Sequence, residues 1–207
     1  MSAVKLVLAA LAGYLIGNFQ SGILVSRRFG VDDIRKVGSG GTGTTNVLRN
    51  LGFLPSLIVF ACDMLKGALG VWIGRWLGGA WGAALGGVFS IVGHNWPALF
   101  GFRGGKGVAT ALGALIALEP ALGLVVLAVA VVLIALIRIV SIVSILGTLA
   151  AVIVLIALNP GNGAYVFFGA CALAMVVYAH RENIVRLKNG TERRLDFKAI
   201  LNKGKRK

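Results

Sequence analysis

Long apolar stretches broken by short polar segments run through this chain, and no other feature restricts its fold as strongly. Residues 4–24, 53–74, 81–100, 139–158 and 162–180 each hold an apolar run close to the twenty residues a helix needs to cross a bilayer. Only 14% of the residues are charged, where a soluble domain carries about 25%. With 57% hydrophobic residues, the chain lacks the polar surface for an ordinary soluble fold. An all-α polytopic membrane protein is the expectation. Lys5 is the only basic residue at the start of the first stretch, and no clear small-residue cleavage site follows, so it reads as a span and not as a cleaved signal.

The region 108–137 decides the span count. Glu119-Pro120 places a charge and a helix breaker in the middle of this apolar run. A split there gives spans at 105–118 and 121–137, and a total of seven. Seven also satisfies the charge distribution, because basic residues gather in loops on the cytoplasmic side of a membrane. With the N-terminus outside, loops 25–52, 101–107 and 138–140 and a basic tail 181–207 fall inside. That topology puts 18 of the 21 basic residues on the cytoplasmic face. One transmembrane domain over 1–207 is expected, with its C-terminus cytoplasmic and three motif loops on the cytoplasmic side. The net charge of +14 is thus a map of topology, and a nucleic-acid partner is not expected. Cys62 and Cys171 sit inside apolar runs and read as small buried hydrophobes.

Three glycine-rich polar segments carry the chemistry. The first, GSGGTGTTNVLR at 38–49, contains G-x-G-x-x-G, but a charged linker precedes it instead of a strand, so no dinucleotide fold follows. Its backbone N–H groups, with Arg49, could cradle an anion; as a bland alternative the glycines simply permit turns. The second, GHNWPALFGFRGGKG at 93–107, sets Arg103 and Lys106 among Gly104, Gly105 and Gly107 just before a helix. That suits a phosphate site, or else an anionic lipid headgroup contact or a topology marker. His94 and Asn95 read either as site residues or as interhelical hydrogen-bonding groups. The third, YAHRENIVRLKNGTER at 178–193, puts His180 and Asn183 on one helical face.

Asp63 and Lys66, three apart inside an apolar stretch, read as an internal ion pair, with Lys66 the member expected to reach a polar cavity. Glu119 reads as structural. Two histidines and seven acids, with no H-E-x-x-H, do not suggest a metal site.

As a set, these segments and the DMLKG at 63–67 resemble the bacterial acyl-phosphate:glycerol-3-phosphate acyltransferases over essentially the whole chain. One departure is Gly41, which fills a slot where that family usually has asparagine. The resemblance implies a seven-span enzyme of the cytoplasmic (inner) membrane with its active site facing the cytoplasm. Its reaction moves a fatty acyl group from acyl-phosphate to the 1-hydroxyl of glycerol 3-phosphate, giving lysophosphatidic acid and phosphate. It further implies that Ser39, Arg49, Lys106, His180 and Asn183 line the site.

The residues fit that chemistry. Two phosphate-bearing substrates account for cations without balancing acids, and a good leaving group removes the need for a metal, cofactor or strong nucleophile. Gly40, Gly43, Thr45, Asn46, Arg49, Arg103, Gly104, Gly105, Lys106 and Gly107 are the expected phosphate-binding set. Ser39, His180 and Asn183 are the expected catalytic residues, and Lys66, His94 and Asn95 support them. Either His180 or the donor phosphate takes the hydroxyl proton. The expected partners are the two substrates and membrane lipids, and a functional monomer stays open. Acyltransferases that use acyl-CoA or acyl carrier protein directly carry His-x4-Asp, whereas here Leu99 and Val185 stand five residues after the histidines. A lipid or phosphate-compound transporter is the alternative class.

Overall fold

In lipid an unpaired backbone N–H or C=O costs several kcal/mol, so a chain this apolar is driven into helices. The computed structural model describes residues 2–204, and among them there are ten α-helices and no strand. They are α1 (Ala3–Gly17), α2 (Ser21–Arg28), α3 (Thr44–Leu51), α4 (Phe53–Asn95) and α5 (Val108–Leu118). After them come α6 (Pro120–Ile137), α7 (Val140–Leu158), α8 (Gly163–Ala179), α9 (Arg181–Lys188) and α10 (Phe197–Gly204). The break expected at Glu119-Pro120 is present: α5 ends at Leu118, and Pro120 opens α6, where its missing N–H costs nothing.

The seven-span count does not hold. Four segments among the described residues are long and apolar enough to cross a membrane: Ala3–Arg28, Phe53–Phe100, Pro120–Ile137 and Val140–Leu158. A fifth is reached only if α8 and α9, bent by 57°, count as one span. By length and composition the stretches 53–74 and 81–100 fall in one apolar segment, Phe53–Phe100, but they are two helices joined across a kink at Gly78 and Gly79, which leave helical dihedral angles. The stretch 105–118 shrinks to the eleven residues of α5, because Arg103–Gly107 stays in a loop. With four or five crossings, counting spans no longer fixes which side each end occupies. Cys62 and Cys171 are unpaired and only half-buried, not the fully buried hydrophobes expected.

Small residues hold the helices together, as packing between helices in lipid requires. On either side of the Gly78–Gly79 break, Gly70 faces Gly86 and Gly74 faces Gly82, so closely that a Cβ on any of them would strike the opposite backbone. Gly13 and Gly17 bring α1 onto the same part of α4, against Gly86 and Ser90. Val71, Ile91, Leu115, Leu155 and Phe168 fill the core among α4, α5, α7 and α8. A second cluster of Ile23, Ile34, Val47, Leu51 and Val59 seats α2, α3 and the turn at Ile34–Lys36 beside α4. This cluster carries the first glycine-rich segment to the end of the bundle where α4 stops and α5 starts.

Candidate active site

Asn46 shapes the first segment. Its buried amide nitrogen lies 3.1, 3.0 and 2.9 Å from the carbonyls of Ile34, Val37 and Gly41, and its Oδ1 accepts the Ser39 N–H at 2.9 Å. One side chain thus folds residues 34–41 over the start of α3. The first-turn N–H groups of Thr44 and Thr45 have no partner within α3 and border the site, supplying partial positive charge.

The second segment docks under the end of α4. Gly104 and Gly105 donate their N–H groups to the carbonyls of Asn95 and His94 at 3.2 and 3.1 Å, pairing groups that the helix end leaves open. Only glycine fits, since a Cβ on Gly105 would overlap the His94 ring and one on Gly104 the His94 carbonyl. Gln20 ties this helix end to the first segment: its Nε2 donates to the His94 carbonyl at 3.3 Å, and its Oε1 accepts the Thr42 hydroxyl at 2.7 Å.

The third segment supplies a carboxylate hydrogen-bonded into the cationic end of the site. Beyond α9 the chain returns to the α6–α7 turn, where the Leu195 N–H donates to the Arg138 carbonyl at 2.8 Å. Glu192 accepts from Asn183 Nδ2 at 2.6 Å, Ser141 Oγ at 3.1 Å and Arg186 Nε at 2.9 Å. Burial alone would raise the Glu192 pKa, but hydrogen bonds from Asn183, Arg186 and Ser141 outweigh it and hold the carboxyl below its ordinary range. Asn183 Oδ1 in turn accepts from Lys106 Nζ. Burial, aided by Arg186 and Arg49, pushes the Lys106 pKa down to about 8, against the pull of Glu192. Arg49 is also lowered, by burial and then by Arg193. Its Nη2 donates to the Arg193 carbonyl at 3.1 Å, while its Nε is buried without a partner among the described residues. Arg49, Lys106, Arg186 and Arg193 against Glu192 and the more distant Glu182, 3.8 Å from Arg186, leave net positive charge for an anion to neutralise.

These groups close one end of a cavity of about 330 Å³. Ser39, Thr45, Arg49, Lys106, His180 and Asn183 line that polar end. From there the cavity continues between helices along Leu112, Val126, Ala130, Val143 and Ala151, all apolar. The chamber therefore offers anion-binding groups and a hydrocarbon slot in one continuous volume.

Comparison with known proteins agrees with this geometry. The family model described as Glycerol-3-phosphate acyltransferase matches residues 7–190. The chain belongs to the glycerol-3-phosphate acyltransferase family. Among its relatives, "Glycerol-3-phosphate acyltransferase 1" of Deinococcus radiodurans is 48% identical over 195 residues, covering 93% of this chain and 96% of the relative. "Glycerol-3-phosphate acyltransferase" of Clostridioides difficile is 40% identical over 204 residues, with 96% and 99% covered. The crystal structure of PlsY (YgiH), an integral membrane glycerol 3-phosphate acyltransferase, in its glycerol 3-phosphate form superposes with a TM-score of 0.87 at 37% identity, covering 95% of this chain and 98% of that one. Its lysophosphatidic acid form gives 0.84 at 36% identity, with the same coverage. This acyltransferase is a multi-pass membrane enzyme, and the transporter alternative falls away.

Of the residues singled out from sequence, Ser39, Gly43, Thr45, Asn46, Arg49, His94, Gly105, Lys106, Gly107, His180 and Asn183 line this cavity. Arg103, Gly104 and Asn95 instead border a separate polar recess of about 180 Å³ with Trp96, Tyr178 and Arg181, and Gly105 touches both spaces. The Gly40 N–H is spent on the Val37 carbonyl at 3.2 Å. Lys66 and Asp63 form the expected ion pair at 2.9 Å, but Asp63, not Lys66, borders the cavity. Glu192, Arg186 and Ser141 were missed. The signal for Glu192 lay in its being one of few acids within a segment dense in cations.

Proposed function

We propose that this acyltransferase takes its acyl group from an acyl-phosphate and delivers it to the 1-hydroxyl of glycerol 3-phosphate. The products are 1-acyl-glycerol 3-phosphate (lysophosphatidic acid) and inorganic phosphate. The observation that carries the reading is the continuous cavity, cationic at one end and apolar along the rest. An acyl-phosphate has that shape: a dianionic head joined to a hydrocarbon tail. Arg49 and Lys106 hold phosphate, aided by the first-turn amides of α3 and by Ser39. Asn183 fixes the direction of the Lys106 ammonium.

The hydroxyl oxygen attacks the acyl carbonyl carbon, the bond from that carbon to the phosphate oxygen breaks, and phosphate departs with the bonding pair. The hydroxyl proton passes to His180 Nε2 or to the departing phosphate. His180 Nδ1 lies 2.8 Å from the Val176 carbonyl, an arrangement that requires the ring proton on Nδ1 and leaves Nε2 free to accept. The anhydride is already activated, so holding the two substrates together supplies most of the acceleration; well-oriented pairs gain about 7–11 kcal/mol this way.

The polar end of the site faces the cytoplasm of a bacterial inner membrane, and the transmembrane body works as one domain. Basic residues cluster in the segments that build this end, as cytoplasmic loops do. The test is purified protein in micelles with acyl-phosphate and radiolabelled glycerol 3-phosphate. One phosphate should appear per lysophosphatidic acid, and acyl-CoA should give no product. Equal rates from acyl-CoA would overturn the donor assignment.

A further inference from the structure

Lys66 is almost completely buried, and its ammonium has three acceptors. Nζ lies 2.9 Å from Asp63 Oδ1, 2.9 Å from the Phe19 carbonyl and 2.6 Å from His94 Nδ1. The Ser21 hydroxyl donates to the same Asp63 oxygen at 2.7 Å. An ammonium has three hydrogens and no lone pair, so it can only donate. Paired with the Asp63 carboxylate, Lys66 is read as an ammonium, and its third hydrogen then points at His94, whose Nδ1 stands 3.6 Å from the same carboxylate oxygen, outside hydrogen-bond reach. His94 Nδ1 is therefore the bare nitrogen, and the ring proton sits on Nε2.

This reverses the usual pairing, in which a carboxylate or carbonyl takes Nδ1–H and leaves Nε2 basic. His180 follows the usual pattern through Val176. The sequence contains only these two histidines, and both line the catalytic cavity. They are locked in opposite tautomers by different partners. His94 Nε2 makes no hydrogen bond among the described residues, and it lies against Gly105, where only a hydrogen separates ring and loop. The ring and Lys106 both line the cavity.

We propose that His94 is a catalytic hydrogen-bond donor whose Nε2–H, fixed by Lys66, binds a phosphoryl oxygen of the donor substrate beside Lys106. His180 presents the complementary bare nitrogen to the acceptor hydroxyl. Accepting from an ammonium polarises the imidazole and strengthens its Nε2–H as a donor. A neutral donor held in place needs no reorganisation as charge builds on the departing phosphate. The assignment of the substrate oxygen rests on the acyl-phosphate reading, whereas the tautomer does not.

The experiment uses full-length protein in micelles with ¹⁵N-labelled histidine. Two sets of ring signals are expected, and loss of one in His94→Gln assigns it. Long-range ¹H–¹⁵N correlations should give His94 a protonated Nε2 and a bare Nδ1, and His180 the reverse. Added inorganic phosphate should shift the His94 Nε2–H resonance. His94→Leu should lose about 100-fold in kcat, the scale for removing one preorganised donor, with KM nearly unchanged. His94→Gln, which keeps an N–H, should recover most of that loss.

A His94 signal with Nδ1 protonated, or with both nitrogens protonated, would overturn the proposal without any variant having to fold. So would near-full kcat in a His94→Leu protein that melts like the parent. If the tautomers are as described but the parent makes no lysophosphatidic acid from acyl-phosphate, the donor assignment fails and the fixed Nε2–H stands.

Discussion

Asn183 donates its side-chain amide to Glu192 at 2.6 Å, and that bond turns its carbonyl oxygen toward Lys106. An amide rotated by half a turn would offer hydrogens to the ammonium and repel it. Glu192 therefore sets the polarity of the cavity's cationic end without bearing on the reacting atoms itself.

Glu192→Ala should accordingly lose activity by about 100-fold or more, the scale for disturbing preorganised site groups, since Asn183 is freed to turn and Arg186 loses its closer carboxylate, keeping only Glu182 at 3.8 Å. Hydrogen bonds to a charged group contribute about 1.5–3 kcal/mol, so the melting temperature should fall as well. Glu192→Gln keeps one acceptor and should sit between. The pH sign follows from the direction of the shift. The folded carboxyl is held below its ordinary value of 4.5, so its contribution is full above that value. It is lost as pH falls through the lower folded value. Thermal melts of the parent and Glu192→Gln should differ at neutral pH and converge in acid.

Lys106 gives the alkaline limb. With its pKa pushed down to about 8, the free enzyme loses this cation as pH rises past that point, well below the ordinary lysine value of 10.5. Because kcat/KM reports the free enzyme, it should fall with an apparent pKa near 8. Bound phosphate raises the lysine pKa, so kcat should hold to higher pH. Lys106→Arg, always charged, should remove the limb while losing some activity through altered geometry. A kcat/KM flat to pH 10 in the parent would contradict the assignment.

Sequence legibility divides along a physical line. Apolar runs, the Glu119-Pro120 break and the glycine-rich segments are local features, and each was readable. The close packing across the Gly78–Gly79 kink was not, because it depends on Gly70 meeting Gly86 and Gly74 meeting Gly82, sixteen and eight positions apart. Gly105–Gly107 also read as the start of a span, although Gly105 must stay in a loop to pair with the end of α4. At the site, Arg49, Lys106, His180 and Asn183 were legible as polar groups in a hydrophobic chain. Glu192 was not, because its role depends on the chain returning to Arg138 and so bringing it beside Ser141, fifty-one positions earlier.

Asn46 illustrates the same limit, since its type suggested a phosphate ligand and its contacts are with the chain. Its two amide hydrogens are shared among the carbonyls of Ile34, Val37 and Gly41, and its Oδ1 accepts the Ser39 N–H. Asn46→Ala should leave those groups unpaired and loosen residues 34–41 together. Hydrogen exchange should rise across that segment, with stability lower by about 2–3 kcal/mol. Asn46→Asp keeps only the acceptor side and should rescue the Ser39 contact alone. If Asn46→Ala raised KM with unchanged exchange, the residue would be a ligand after all.

Gly41 offers a test in the opposite direction. Its φ lies outside the left-handed region, and no atom stands within 4 Å of where a Cβ would go. Gly41→Asn therefore meets neither strain nor collision. Its carbonyl can continue to accept from Asn46 Nδ2, because only the side chain changes. Stability should stay within about 0.5 kcal/mol of the parent, the range for surface substitutions away from special features. The new amide would project at the cavity wall that Gly41 already helps to form, so any change should appear in KM for a phosphate substrate before kcat. Melting curves and steady-state kinetics of the single variant check both statements, and a large drop in melting temperature would mean the loop is more tightly packed around residue 41 than its geometry shows.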